Sequence, residues 1–312
     1  MVACVDCTRQ SYAIADAAAG LALALDLPLV LFHVIEPSDD LRRRPDPLEW
    51  QLLRRQACDH LDVLRAALPL APEAMTVALA EGERTNSICQ RAAEPGSILV
   101  MGSGGDGNSP FFRGLVSRQV IERALGPVLL VPINNGWCTT RLERILVPLD
   151  GSHHADNALA QAARIARNSG AELLLAHVVP EPELAHSGLP ERADIELVAR
   201  LDQRNRLAAS DLLERATRRL TDQGLKVRSI CLDGEPRAAL LRTISDANPS
   251  LVVLSARGQG GRHCLDLPIG STANYLLDHL VTPTLFVPAG PIPAGTSSPQ
   301  PQSHLSASIQ AA

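Results

Sequence analysis

The chain repeats itself. Asp6 and Asp150 each end a short apolar run and stand 144 residues apart, as do His33 and His177. Gly82 and Gly234 are 152 apart, Gly105 and Gly258 are 153 apart, and Gly114 and Gly270 are 156 apart. The pairs Pro127 with Pro283 and Pro132 with Pro288 keep the offset of 156. The offset only grows, and it jumps inside expected loops or in the second helix. Insertions into a duplicated unit behave this way, whereas chance likeness scatters the offsets. The fold must therefore be one that ~150 residues can complete and then repeat.

Within each copy, strand and helix signals alternate. The first half predicts strands at Val2–Val5, Leu29–Ile35, Met75–Ala80, Ser97–Met101 and Val128–Val131. The second predicts them at Ile145–Leu149, Ala171–Val179, Val227–Leu232, Leu251–Leu254 and Thr284–Val287. Between them lie stretches of helical period, such as Ile14, Ala17, Ala18, Leu21 and Leu25, with Thr8 and Ser152 as expected caps. Alternation of this kind implies a parallel sheet wound on both faces by helices, with right-handed crossovers. Ligands of such sheets sit at the carboxyl ends of the strands, near a switch point. Asp6, Asp150 and both glycine-bearing loops fall at those ends.

The loop from Leu254 to Thr272, LSARGQGGRHCLDLPIGST, follows an apolar strand and precedes a helix. Strand, glycine loop and helix N-terminus together suit an anion: backbone N–H groups point outward with the helix dipole behind them. Glycine lets main chain approach a phosphate with no Cβ between. The first-half counterpart, Gly102–Arg113, carries Asp106 and lacks the arginines that flank the second loop. Its SGGDGNS string is like the SGGxDS loop of ATP pyrophosphatases, but it follows a fourth strand rather than a first.

Composition removes several alternatives. The sole lysine, Lys226, has no Ser or Thr after it, so a P-loop NTPase is excluded. A net charge of −5 without a basic tract argues against nucleic acid as the main partner. Seven scattered cysteines form neither a disulfide framework nor, with Cys4 and Cys7 alone as a close pair, a zinc site. The longest early apolar run, Ala17–Leu25, is far shorter than a membrane span of ~20 residues. Aromatic residues are only 3%, so the cores must be built from Ala, Leu, Val and Ile. His33 and His177, on buried strands, read as satisfied core histidines. The arginine-rich face of 200–219 reads as a water-facing stripe.

Taken in order, ILVPLDGS (145–152), AHVV (176–179), DGEP (233–236), Gly258…Gly270-Ser271 and PTLFVP (283–288) resemble the universal stress proteins. The resemblance covers both halves. It implies two copies of an α/β domain, each a five-stranded, doubly wound parallel sheet of the Rossmann-like, adenine nucleotide alpha hydrolase-like kind. It divides the chain into residues 1–133, a linker at 134–143, a second domain at 144–289, and a Pro-, Ser-, Gly- and Gln-rich segment at 290–312 expected to be disordered. It also implies ATP as ligand, with Mg2+ as its companion. In the nucleotide-binding members the loop reads GxxGx9G[ST]. The aspartate ending strand one contacts the nucleoside, and the valine after the strand-two histidine contacts adenine through its backbone. Carried onto this chain, the second half offers Asp150, Val178, Gly258, Gly270, Ser271 and Thr272. Ser255 replaces the leading glycine there, and eleven residues separate Gly258 from Gly270. The first half offers Asp6, Val34, Gly102, Gly105 and Gly114, with Leu115 in place of the hydroxyl residue. The second half is the expected site.

The resemblance further implies a cytoplasmic stress-response protein with a sensing or regulatory role, not an enzyme, hydrolysing ATP slowly at most. Within the family the apolar fifth strands pair across a dimer. Here the two halves are expected to pair with each other inside one chain, with a homodimer as a further assembly. No nucleic-acid or membrane partner is expected. The competing reading is an interaction or dimerisation module that binds no nucleotide; a nucleotide-using enzyme of related fold is a more distant third.

Overall fold

The computed structural model describes residues 1–36, 46–103, 115–132, 141–182, 192–258, 269–279 and 281–288. Gly105, Gly114, most of the expected linker and the 290–312 segment lie outside these described residues. The first half runs β1 (Val2–Cys4), α1 (Gln10–Leu25), β2 (Leu29–Ile35), α2 (Pro47–Ala67), β3 (Met75–Glu81), α3 (Arg84–Ala92), β4 (Leu99–Gly102), α4 (Leu115–Arg123) and β5 (Val128–Val131). The second runs β6 (Arg144–Pro148), α5 (His153–Ser169), β7 (Glu172–Val179), α6 (Arg192–Thr221), β8 (Val227–Asp233), α7 (Pro236–Ala247), β9 (Leu251–Ser255), α8 (Ser271–Asp278) and β10 (Thr284–Val287).

All ten strands form one sheet, ordered β3-β2-β1-β4-β5-β10-β9-β6-β7-β8. Within each half every pairing is parallel. The halves join where β5 meets β10 antiparallel, Thr284 opposite Leu130 and Phe286 opposite Val128. The expected fifth-strand pairing is thus present. These strands lie in the interior of the sheet, and every residue of both is buried. The outer edges are β3 and β8, whose side chains are largely exposed or half-exposed. VLLV and TLFV are apolar on both faces because helices cover both sides of the seam.

Helices lie on both faces. One core face joins α1, α2, α5 and α6. The other joins α3, α4, α7 and α8. Each continues across both halves. Alanine makes this dense packing feasible: Ala15, Ala18, Ala19, Ala158 and Ala162 are fully buried, and α1 meets α5 across the junction. Helix starts follow local chemistry. Ser152 accepts from the Ala155 N–H at 3.1 Å and caps α5, while Gly170 in left-handed backbone ends it. Thr8, by contrast, does not cap α1. Its hydroxyl donates to the Asp6 carboxylate instead, and the cap position falls to Arg9, which makes no side-chain bond.

Candidate functional site

In each half the second strand runs on past the end of the first, and a histidine ties the two together there. In the second half the β6 ladder ends at Pro148 opposite Ala176. Leu149 still donates its N–H to the Ala176 carbonyl at 2.8 Å, and His177 Nδ1 donates to the Leu149 carbonyl at 2.7 Å. A carbonyl only accepts, so Nδ1 carries the proton. In the first half His33 makes the same bond to the Val5 carbonyl at 2.8 Å. Both histidines are thus satisfied scaffold groups. The Val179 carbonyl accepts from Gly234 on the β8 side. Alternation along the strand therefore aims the Val178 amide and carbonyl toward β6, beyond the point where β6 has ended.

That gap opens into a cavity of about 880 Å³. Asp150, Val178, Gly258, Gly270, Ser271 and Thr272, all expected from sequence, line it together. The volume lies within the range of ~300–1,000 Å³ usual for small-molecule sites. Asp150 Oδ1 accepts the Ser152 N–H at 2.9 Å, which turns the carboxylate at the end of β6. Its other oxygen lies against Gly258: a Cβ there would stand 2.4 Å from Oδ2. A side chain at this position would have to displace the carboxylate. At Gly270 a Cβ would find its nearest neighbour, the Ala256 carbonyl, at 3.5 Å, an ordinary contact. Gly270 matters differently. It is the N-cap of α8, and among the described residues no side chain caps the first-turn amides of the helix. Ser255, where the leading glycine was expected, donates its hydroxyl to the Arg257 carbonyl at 2.6 Å and braces the turn.

One wall was not read from the sequence. Asn205, Ala208, Ala209, Leu212 and Arg215 of α6 line the cavity. Their spacing is one helical stripe, and small alanines hold it back from the opening. The arginine-rich helix is therefore not solvent-facing all round. Pro236 and Leu240 of α7 complete the enclosure. The 205–215 stripe was visible as a period, but only the packed fold shows what it faces.

The first half arranges its equivalents differently. Gly102 ends β4, and Val34 keeps its place on β2. Asp6 is bound by its own chain: its carboxylate accepts from the Thr8 N–H at 3.0 Å and from the Thr8 hydroxyl. Fully buried Ser11 accepts the Asp6 N–H at 2.8 Å and shares its proton between the Asp6 carbonyl and carboxylate. Burial alone would push this carboxyl up, but the Thr8 and Ser11 hydrogen bonds, helped by Arg84, outweigh it and hold it below the usual range. In the second half Ala155 replaces Ser11 and has no hydroxyl to give. Where Ala176 lines the second cavity, the first half carries buried Phe32, with the Arg91 guanidinium 5.8 Å from its ring centre. Cys4, half-buried opposite Phe32, has its thiol pushed up to about 12 by desolvation despite the Arg91 charge.

Comparison with known proteins agrees with this architecture. The profile of the Universal stress protein family matches residues 1–132 and again 141–288. Universal stress protein YxiE of Bacillus subtilis is 28% identical over 152 residues, 46% of this chain and 97% of its own. Universal stress protein MJ0531 of Methanocaldococcus jannaschii is 25% identical over 145 residues, 46% of this chain and 81% of its own. A universal stress protein from Archaeoglobus fulgidus superposes over 93% of this chain and 96% of its own, with a TM-score of 0.63 at 19% identity. Protein PA1789 of Pseudomonas aeruginosa superposes over 92% of this chain and 91% of its own, with a TM-score of 0.56 at 16% identity. These two structural likenesses speak to the fold. With its doubled sheet and both halves matched, the chain belongs to the universal stress protein family.

Proposed function

We propose that the second half binds ATP, with Mg2+ held on its phosphates, and that the protein senses or regulates in a cytoplasmic stress response rather than catalysing a reaction. The domain division at 1–133 and 144–289 belongs to this reading. One observation carries it: the cavity that gathers Asp150, the Val178 main chain, Gly258 and the uncapped start of α8. In this reading Val178 meets the adenine edge, Asp150 the ribose, and the α8 amides with the Ser271 and Thr272 hydroxyls the phosphates. No cluster of three metal-ligating side chains occurs among the described residues, so Mg2+ would arrive with the nucleotide. The first half, with Phe32 at the Ala176 position and Asp6 bound internally, serves as a structural partner. Thermal unfolding with Mg-ATP tests the proposal: ligand at ~100 times its dissociation constant stabilises by ~2.7 kcal/mol. No shift at millimolar ATP would leave the second reading, a nucleotide-free interaction module, which Ser255 at the leading glycine position favours.

A further inference from the structure

Arg118, on the first turn of α4, reaches across the seam between the halves. Its Nε donates to Asn274 Oδ1 at 2.9 Å. Its terminal NH2 lies 2.6 and 2.8 Å from the two carboxylate oxygens of Asp278. Both partners belong to α8, the helix whose opposite end enters the cavity. Asp278 is the final residue of that helix, where the negative end of the dipole disfavours a carboxylate. The guanidinium offsets this and fixes two successive turns of an eight-residue helix. Such a helix is too short to hold itself, and Gly270 gives it no side-chain cap. Its other attachments among the described residues include the apolar contacts of Ala273, Leu276 and Leu277, the Arg237 guanidinium of α7 over the Tyr275 ring at 5.8 Å, and the Gly270 N–H bonded to the Ala256 carbonyl at 2.8 Å. Arg118 and Asn274 stand 156 residues apart, the repeat offset of this region. The bond therefore joins equivalent positions around the pseudo-twofold, with opposite roles.

We propose that Arg118 is a positioning residue for the second-half site: the first half, through this one side chain, sets how firmly α8 presents its N-terminal amides to an anionic ligand. The inference rests on the nucleotide reading above and adds the regulation of that site. Arg118 is not among the residues that line the cavity, so its effect is on the pose and rigidity of α8. Coupling is reciprocal, so ligand in the cavity tightens the Arg118 contact in turn.

The test uses the full chain. Hydrogen exchange of amides 271–278 is measured without ligand, and Mg-ATP affinity by calorimetry, for wild type, Arg118→Ala, Arg118→Lys and Asp278→Asn. Arg118→Ala is expected to speed exchange in α8 and weaken ATP by about fivefold or more. Arg118→Lys, which keeps the charge but loses the fork, should recover part of both. Asp278→Asn removes the ion pair without truncation and should move both readouts the same way, which covers an Arg118→Ala protein that folds poorly. If wild type binds ATP and the variants bind it equally well, the coupling is overturned. It is overturned too if α8 exchange is unchanged. If wild type itself binds no ATP, the nucleotide reading fails, a result separable from either of these.

Discussion

A glycine can be required for what lies beside it rather than for its own dihedrals. Gly258 is such a residue, because a methyl group there would collide with the Asp150 carboxylate. Gly258→Ala is expected to push that carboxylate off its place and lower ATP affinity about tenfold, ~1.4 kcal/mol, with little loss of ligand-free stability. Gly270→Ala should be tolerated far better, since its Cβ would find only ordinary contacts. Calorimetric titration of both variants decides the order. Asp6 gives a pH signature. Its folded-state pKa lies below the unfolded value of 3.8, so its contribution is complete above that pH and is lost as pH falls toward the lower folded value. Asp6→Ala should cost about 1 kcal/mol at neutral pH and lose less on acidification than wild type. Urea midpoints compared at neutral pH and near pH 3 check both parts. The sequence showed that Asp6 and Asp150 were equivalent. It did not show their different surroundings, because Ser11 against Ala155 reads only as a small helical residue until its hydroxyl is seen bonded.

Elements bounded by apolar runs were the most legible. Leu29–Ile35, Val128–Val131 and Thr284–Val287 stand where the residues placed them, since each run is buried on both faces and stopped by turn chemistry. Helix α8 begins at Ser271, two residues before its first apolar residue, because the chain turns at Gly270 where no side chain marks the cap. Helix α6 was readable as a helix but not as a cavity wall. Its arginines dominated the reading, while the facing stripe depends on how the helix is rotated on the sheet. Ala208 tests that wall. It is exposed, so Ala208→Trp should change stability by less than about 0.5 kcal/mol. It should narrow the cavity enough to weaken ATP severalfold. A thermal scan with and without ATP separates the two effects; undiminished binding would remove α6 from the site.

Across the whole molecule, one seam makes a single ten-stranded sheet from two units. Leu130 and Leu285 lie at its centre, both essentially without solvent contact. Placing lysine at either should cost about 3 kcal/mol or more, since a charge would be buried without a partner. It should also split a cooperative urea transition into two, followed by circular dichroism and by fluorescence from the tryptophan in α2. Unchanged cooperativity would show that the halves hold together by their helices alone. The duplication itself was legible because residue offsets survive insertion. The meaning of the contrast in side-chain volume at one strand position, Phe32 against Ala176, was not, because it depends on which residues line the cavity. The antiparallel seam also sets a direction. Since β5 and β10 run oppositely, the strand tips of the two units open at opposite ends of the sheet. The molecule therefore presents its two sets of strand tips apart, one beside Phe32 and the other beside Ala176. Under the nucleotide proposal, a partner that docks on the second-half tips can register their occupant without touching the first-half tips.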